Sequence, residues 1–185
     1  MRWVTMAQIH LDRAACPWLI TRFVDPEAEF EFLPWGLDGT IPEPGALPLP
    51  EGATPFAIPG VPLGLHDADG TCFSKILRAY DLRQPSLWGM ERVIAAGVRH
   101  TFGRPPADDE TAEEAALGAA LNLIGNGLSL AYDDDGHLRA ALGLYDGLHQ
   151  HCLMRLLPAE VKEQAPFLPP QKIPYLREAI AAAGE

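Results

Sequence analysis

Apolar and polar positions change rhythm along this chain, and each rhythm predicts a different element. Arg2 to Ile9 is a short run rich in β-branched and aromatic residues that reads as a strand. Residues 13 to 24 read as a helix, and Glu29-Phe30-Glu31-Phe32-Leu33 then alternates polar with apolar, as a half-buried strand does. Phe56 to Val61 reads as a short extended segment broken by Pro59-Gly60, and His66 to Gly70 as a polar turn. From Phe73 the period lengthens: Phe73, Ile76, Leu77 and Tyr80 recur at helical spacing, and a further helix is predicted over Pro85 to Val98.

The second half is helical throughout. Thr111-Ala-Glu-Glu114 has the form of a capping box, and Leu117, Leu121, Ile124 and Leu128 draw one apolar stripe behind it, predicting a helix from Ala112 to about Ala131. Asp133-Asp134-Asp135-Gly136 interrupts the pattern. Leu138, Leu142, Tyr145, His149, Cys152 and Leu156 trace a second stripe, so the two helices are expected to pack as an antiparallel hairpin, with Gly118, Ala119, Ala120 and Gly125 permitting close approach. After Leu157 a Pro-rich tail, 158–185, is expected to stay broken up until a short Ala-rich helix at about Tyr175 to Ala183. The predicted class is α+β, mostly helical, with a small N-terminal sheet packed against a helical bundle. One domain is expected over 1–157, interrupted by a Pro/Gly-rich loop at 36–55 of the kind that serves as a lid or mobile arm.

Composition narrows the function classes. The formal net charge is -11, and the 14 Lys and Arg residues are scattered, which argues against nucleic acid and anionic membrane surfaces as partners. No stretch approaches the roughly 20 apolar residues of a membrane-spanning helix, so a cytoplasmic protein is expected. Cys16, Cys72 and Cys152 form no CxxC pair, which disfavours a disulfide framework or a Cys-rich zinc site. There is no Gly-rich phosphate loop, His-Glu-x-x-His, Gly-x-Ser-x-Gly or dinucleotide fingerprint.

Candidate chemistry gathers in the first 30 residues. Asp12 and Arg13 lie where a strand feeds a helix, the usual place in α/β units for groups facing a ligand; alternatively Asp12 caps the helix and Arg13 pairs with a surface carboxylate. Two readings of Cys16 stand side by side. Ahead of Pro17 it is placed to cap a helix from Pro17 to Val24, which would lower its thiol pKa; if Asp12 caps instead, Pro17 lies inside and Cys16 is a core residue. Asp25-Pro26-Glu27 reads as a helix-stopping turn, with Arg22 and Glu27 as candidate ligand-binding groups. His66, beside Asp67 and Asp69, suits a site for Fe, Mn or Zn, against the plainer reading of a hydrogen-bonded loop histidine. Asp146 and His149 share a helix face, so Asp146 is a further metal candidate, although His149 lies on the apolar stripe and fits a core histidine.

The order Arg2-Trp-Val-Thr5, then Asp12-Arg-x-Ala-Cys16-Pro-Trp-Leu-Ile20, then Arg22-Phe-Val-Asp-Pro-Glu-Ala-Glu-Phe30 resembles the opening of the ChrB C-terminal domain family of chromate resistance. The likeness continues through Pro55-Phe56-Ala-Ile-Pro59-Gly60-Val61, His66, Phe73-x-x-Ile-Leu-x-x-Tyr80-x-Leu82 and Leu144-Tyr-Asp-Gly-Leu148. It implies a role in chromate or metal stress and a histidine at position 66. Where the family tends to carry Cys-Thr-Phe followed by an acid, Thr71 and Ser74 take the Cys and acidic places, which puts any site built on them in question. Three functions follow as expectations. One is an accessory or sensor domain binding a metal ion or small oxyanion at the Asp12, Arg13 and His66 face, helped by Cys16 and Asp146. Another is a redox enzyme using Cys16 or a transition metal. The third is a non-catalytic module, a homo-oligomer held by its Pro-rich arm and tail.

Overall fold

The computed structural model describes residues 1–35 and 47–184. Most of the expected 36–55 loop therefore lies outside the described residues. The class is α+β and mostly helical, as the periodicities predict.

β1 (Arg2–Met6) is the middle strand of a three-stranded parallel sheet, flanked by β2 (Glu29–Leu33) and a two-residue β3 (Thr54–Pro55). Its residues Trp3 to Met6 are buried on both faces, as a central parallel strand requires. Trp3 joins the main core, while Val4 and Met6 pack with Leu33 and Ile58 in a smaller cluster on the other face. The strand is shorter than expected because the chain turns at Gln8, whose φ is 56°. The Phe56–Val61 segment is not a strand; pairing ends at Pro55, with only the Phe56 N–H still reaching the Val4 carbonyl.

α1 (Asp12–Leu19) contains Pro17 and runs into a π-helical turn over Ile20–Val24, closed by the Asp25 N–H on the Ile20 carbonyl. Next come α2 (Cys72–Ala79) and α3 (Pro85–Thr101), then α4 (Ala112–Ala131) and α5 (Asp134–Leu156). The capping box forms as read, with Thr111 Oγ1 taking the Glu114 N–H and the Glu114 carboxylate taking the Thr111 N–H. Only Tyr132 and Asp133 separate α4 from α5, because Asp133 caps α5 by accepting the Gly136 N–H.

The small residues of α4 do not serve a tight α4–α5 seam. A Cβ on Gly118 would lie 2.4 Å from the Gly97 nitrogen, so this glycine lets α4 press on α3; Gly125 faces His10 and Leu11. The tail is also more helical than its prolines suggest: α6 (Ala159–Glu163) precedes α7 (Pro169–Ala183). Pro169 and Pro170 stand in the first turn, where no N–H is needed.

Candidate functional site

The β1–α1 loop is strained and held from several sides. Gln8 and Leu11 have φ of 56° and 47°, values that side chains disfavour. Asp134, at the start of α5, accepts the N–H groups of Gln8 (2.9 Å) and Ile9 (2.7 Å). Ser129 Oγ donates to the Ile9 carbonyl at 3.2 Å, and the buried Tyr145 hydroxyl donates to the Leu11 carbonyl at 2.8 Å. Trp35 Nε1 and Arg13 Nη1 both donate to the Ala7 carbonyl. Strained loops persist only where the surroundings over-determine them, and such loops cluster at functional sites.

Asp12 does not cap its own helix. Its carboxylate crosses to α2, where Oδ2 accepts the Cys72 N–H (2.9 Å) and Oδ1 the Phe73 N–H (3.1 Å). The Thr71 hydroxyl takes the Ser74 N–H at 3.0 Å, so the leading amides of α2 are all satisfied. Burial pushes Asp12 above the usual carboxylate range, opposed by those amides, the Cys16 thiol and His66. With both oxygens engaged, the carboxylate ties α1 to α2.

Cys16 is a core residue inside α1, so the arrangement in which it caps a helix starting at Pro17 does not form. Its thiol donates to Asp12 Oδ1 at 3.5 Å. Burial drives its pKa well above the ordinary thiol value, and the Cys72 thiol and the Asp12 charge add to that. A low-pKa nucleophile needs the opposite surroundings.

Asp12, Arg13 and His66 line one cavity of about 220 Å³, together with His10, Trp35 and Phe102. The Arg13 guanidinium carbon lies 5.1 Å from the centre of the Trp35 ring. Among the described residues no carboxylate comes within ion-pair distance of it; the charges of Asp134 and Asp12 act on it only from further off. The His66 ring sits 4.8 Å from Phe102, over which Arg104 is stacked. Burial lowers the pKa of His66, opposed chiefly by Asp12, and burial also lowers that of His10, so both rings are neutral at pH 7. The cavity thus offers one guanidinium and two neutral imidazoles between aromatic walls, with the Asp12 carboxylate, engaged by α2, also on its lining.

The other candidates lie elsewhere. Arg22 and Asp146 pair with each other through two hydrogen bonds of 2.9 and 2.7 Å, and Trp18 Nε1 adds a third to Asp146. Asp146 therefore does not join Asp12 and His66. Glu27 is exposed on the turn after the π-helical segment. Asp67 forms an ion pair with Lys75 at 2.7 Å. His149 meets Ser86 at 3.0 Å and lies beside the rings of Trp18 and Phe23, and its charge acts on Asp146. No group of three His, Cys, Asp or Glu side chains among the described residues converges to hold a metal ion.

Four residues that shape the pocket carried no assigned role in the sequence: His10, Trp35, Phe102 and the loop clamp Asp134. His10 stands just before Asp12-Arg13, the one signal in the sequence that points to it. The others come from distant segments, and Asp134 hides in an acidic run that reads as a helix break.

The family model for the C-terminal domain of ChrB matches residues 3–152. The chain belongs to the ChrB C-terminal domain family. Protein ChrB of Cupriavidus metallidurans is 27% identical over 150 residues, which are 81% of this chain and 40% of that protein. The match thus spans about two-fifths of the length of this curated relative. No solved structure matches the chain. Every residue of the pocket falls inside the matched ChrB segment. No helix among the described residues is long and apolar enough to cross a membrane.

Proposed function

We propose that this ChrB-type domain serves chromate resistance in the cytoplasm as an accessory or sensor module that takes a small tetrahedral oxyanion, chromate foremost, into the Arg13–His66 pocket. The observation that carries this reading is the half-buried Arg13 guanidinium, which faces the cavity without an ion-pair partner among the described residues, the Asp12 carboxylate on the same lining being held by the amides of α2. A cation partly withdrawn from water with no carboxylate in direct contact favours an anionic ligand, and a planar guanidinium matches an oxyanion in bidentate fashion. Neutral His66 would supply an N–H donor without competing for the charge, while the N–H of neutral His10 points to the Asn122 carbonyl. The geometry favours an oxyanion over the transition-metal alternative because both oxygens of Asp12 are engaged by α2. Family membership supplies the link to chromate. The charge of -11 slows approach of a dianion at long range, but salt screens that field over about 8 Å, within which Arg13 dominates.

Isothermal titration of the purified chain with chromate, and with sulfate as a non-oxidising analogue, tests the reading. A guanidinium–oxyanion contact contributes about 1.5–3 kcal/mol, so Arg13→Met should weaken binding roughly 10- to 150-fold while the helical circular dichroism is retained. Equal affinity in Arg13→Met and wild type, or no binding of either anion by wild type, would remove it.

A further inference from the structure

α4 breaks the rule that a surface helix turns a polar face to water. Residues 115–131 contain no charge, and their polar side chains are only Asn122, Asn126 and Ser129. Two of those three side chains are tied to neighbouring elements: Asn122 Oδ1 accepts from the Thr101 hydroxyl and Ser129 Oγ donates to the Ile9 carbonyl. The outer side shows Leu123, 72% exposed, and Leu130, 90% exposed, with Ile124 beside them. A helix that is apolar all round is normally buried on all sides. Alongside runs a groove of about 420 Å³ between α4 and α5, with Ile124 on one wall and Gly143 and Gly147 on the other. A Cβ added at either glycine would meet nothing within 4 Å, so neither is bare to accommodate its own fold.

We propose that this face is a homodimer interface, in which two copies pack α4 and α5 across a two-fold axis into a four-helix arrangement. The occupant follows from three features. The groove carries both a ridge (Ile124) and a notch (Gly143, Gly147), the self-complementarity that an isologous contact needs, and Leu123 stands exposed one position before Ile124 on α4. Second, in a chain of charge -11 the charge-free run 115–131 is where a second copy approaches without burying like charges. Third, α4 is about 30 Å long and a neighbouring helix adds about 10 Å of width on each side, giving a footprint on the order of 600–800 Å² per copy, the size of a standard stable interface. This surface is distinct from the Pro-rich tail and from the oxyanion pocket.

Sedimentation equilibrium on the full chain between about 1 and 100 µM decides it, with Leu123→Glu and Gly147→Glu as variants. Neither position is packed in the monomer, and replacing Gly147 raises helix propensity, so both should keep wild-type circular dichroism. The expected result is a dimer for wild type and a monomer for each variant. A wild-type monomer at 100 µM would overturn the proposal, as would a dimer that survives both substitutions, which would move the contact to the tail.

Discussion

Replacing Asp134 by Ala tests whether the strained β1–α1 loop is held from α5. The carboxylate is the acceptor for two backbone N–H groups, Gln8 at 2.9 Å and Ile9 at 2.7 Å. Ile9 is fully buried, so no water replaces the lost acceptor, and an orphaned buried donor costs about 1–3 kcal/mol. Gln8 is exposed and re-solvates, adding a fraction of that. The sum is about 2–3 kcal/mol, which lowers Tm by roughly 4–12 °C for a chain of this length. Asp135→Ala is the matched control: it also removes an acidic group from the first turn of α5, for about 0.3–1 kcal/mol, but no side-chain hydrogen bond to the loop. Gln8→Gly in the Asp134→Ala background should restore about 1 kcal/mol by relieving the positive φ. Thermal melting by circular dichroism, supported by urea midpoints, reads all three. If Asp134→Ala melts within 2 °C of Asp135→Ala, the clamp does not hold the loop and the argument from strain fails.

Gly118→Ala should lower stability by about 2–3 kcal/mol in urea unfolding, because the new Cβ would lie 2.4 Å from the Gly97 nitrogen and 2.8 Å from the Val93 carbonyl oxygen, both backbone atoms that move only if α3 and α4 separate. The cysteines should resist a thiol reagent in the native state and all three should react in denaturant, since each is buried; rapid native labelling of Cys16 would contradict its place in the core. Glu114 has a signature in pH. Arg92 holds it at about 2 in the fold, against 4.5 ordinarily, so the pair stabilises the fold above the unfolded value and that contribution disappears as pH falls from about 4.5 towards 2. Glu114→Gln should flatten the urea midpoint over that window.

Elements with a strong local signal were legible in the sequence. The α4 capping box and the alternation of β2 depend on neighbours within four residues, and the structure keeps them; the two apolar stripes give helices as read, but Ile124 and Leu156 on them end up exposed. What failed depended on distant partners. Asp12 looked like a cap for its own helix, yet α2 starts 60 residues later with amides that bind the carboxylate more completely. The small residues of α4 read as permitting close approach to α5, and for Gly118 α3 proved to be the partner. Arg22 and Asp146 were proposed for separate ligand roles, whereas they neutralise each other across 124 residues. Asp12, Arg13 and His66 were expected to share a face, and they line one cavity; Trp35 and Phe102, which wall it, have no local pattern that marks them.

Selenate is a tetrahedral dianion like chromate, and its selenium scatters anomalously, so a crystal of this domain grown with selenate tests the central claim most directly. An anomalous peak in the cavity, within hydrogen-bond reach of the Arg13 guanidinium and facing His66, is the predicted result. A peak only elsewhere on the surface, with the cavity free of selenium at saturating selenate, would contradict it.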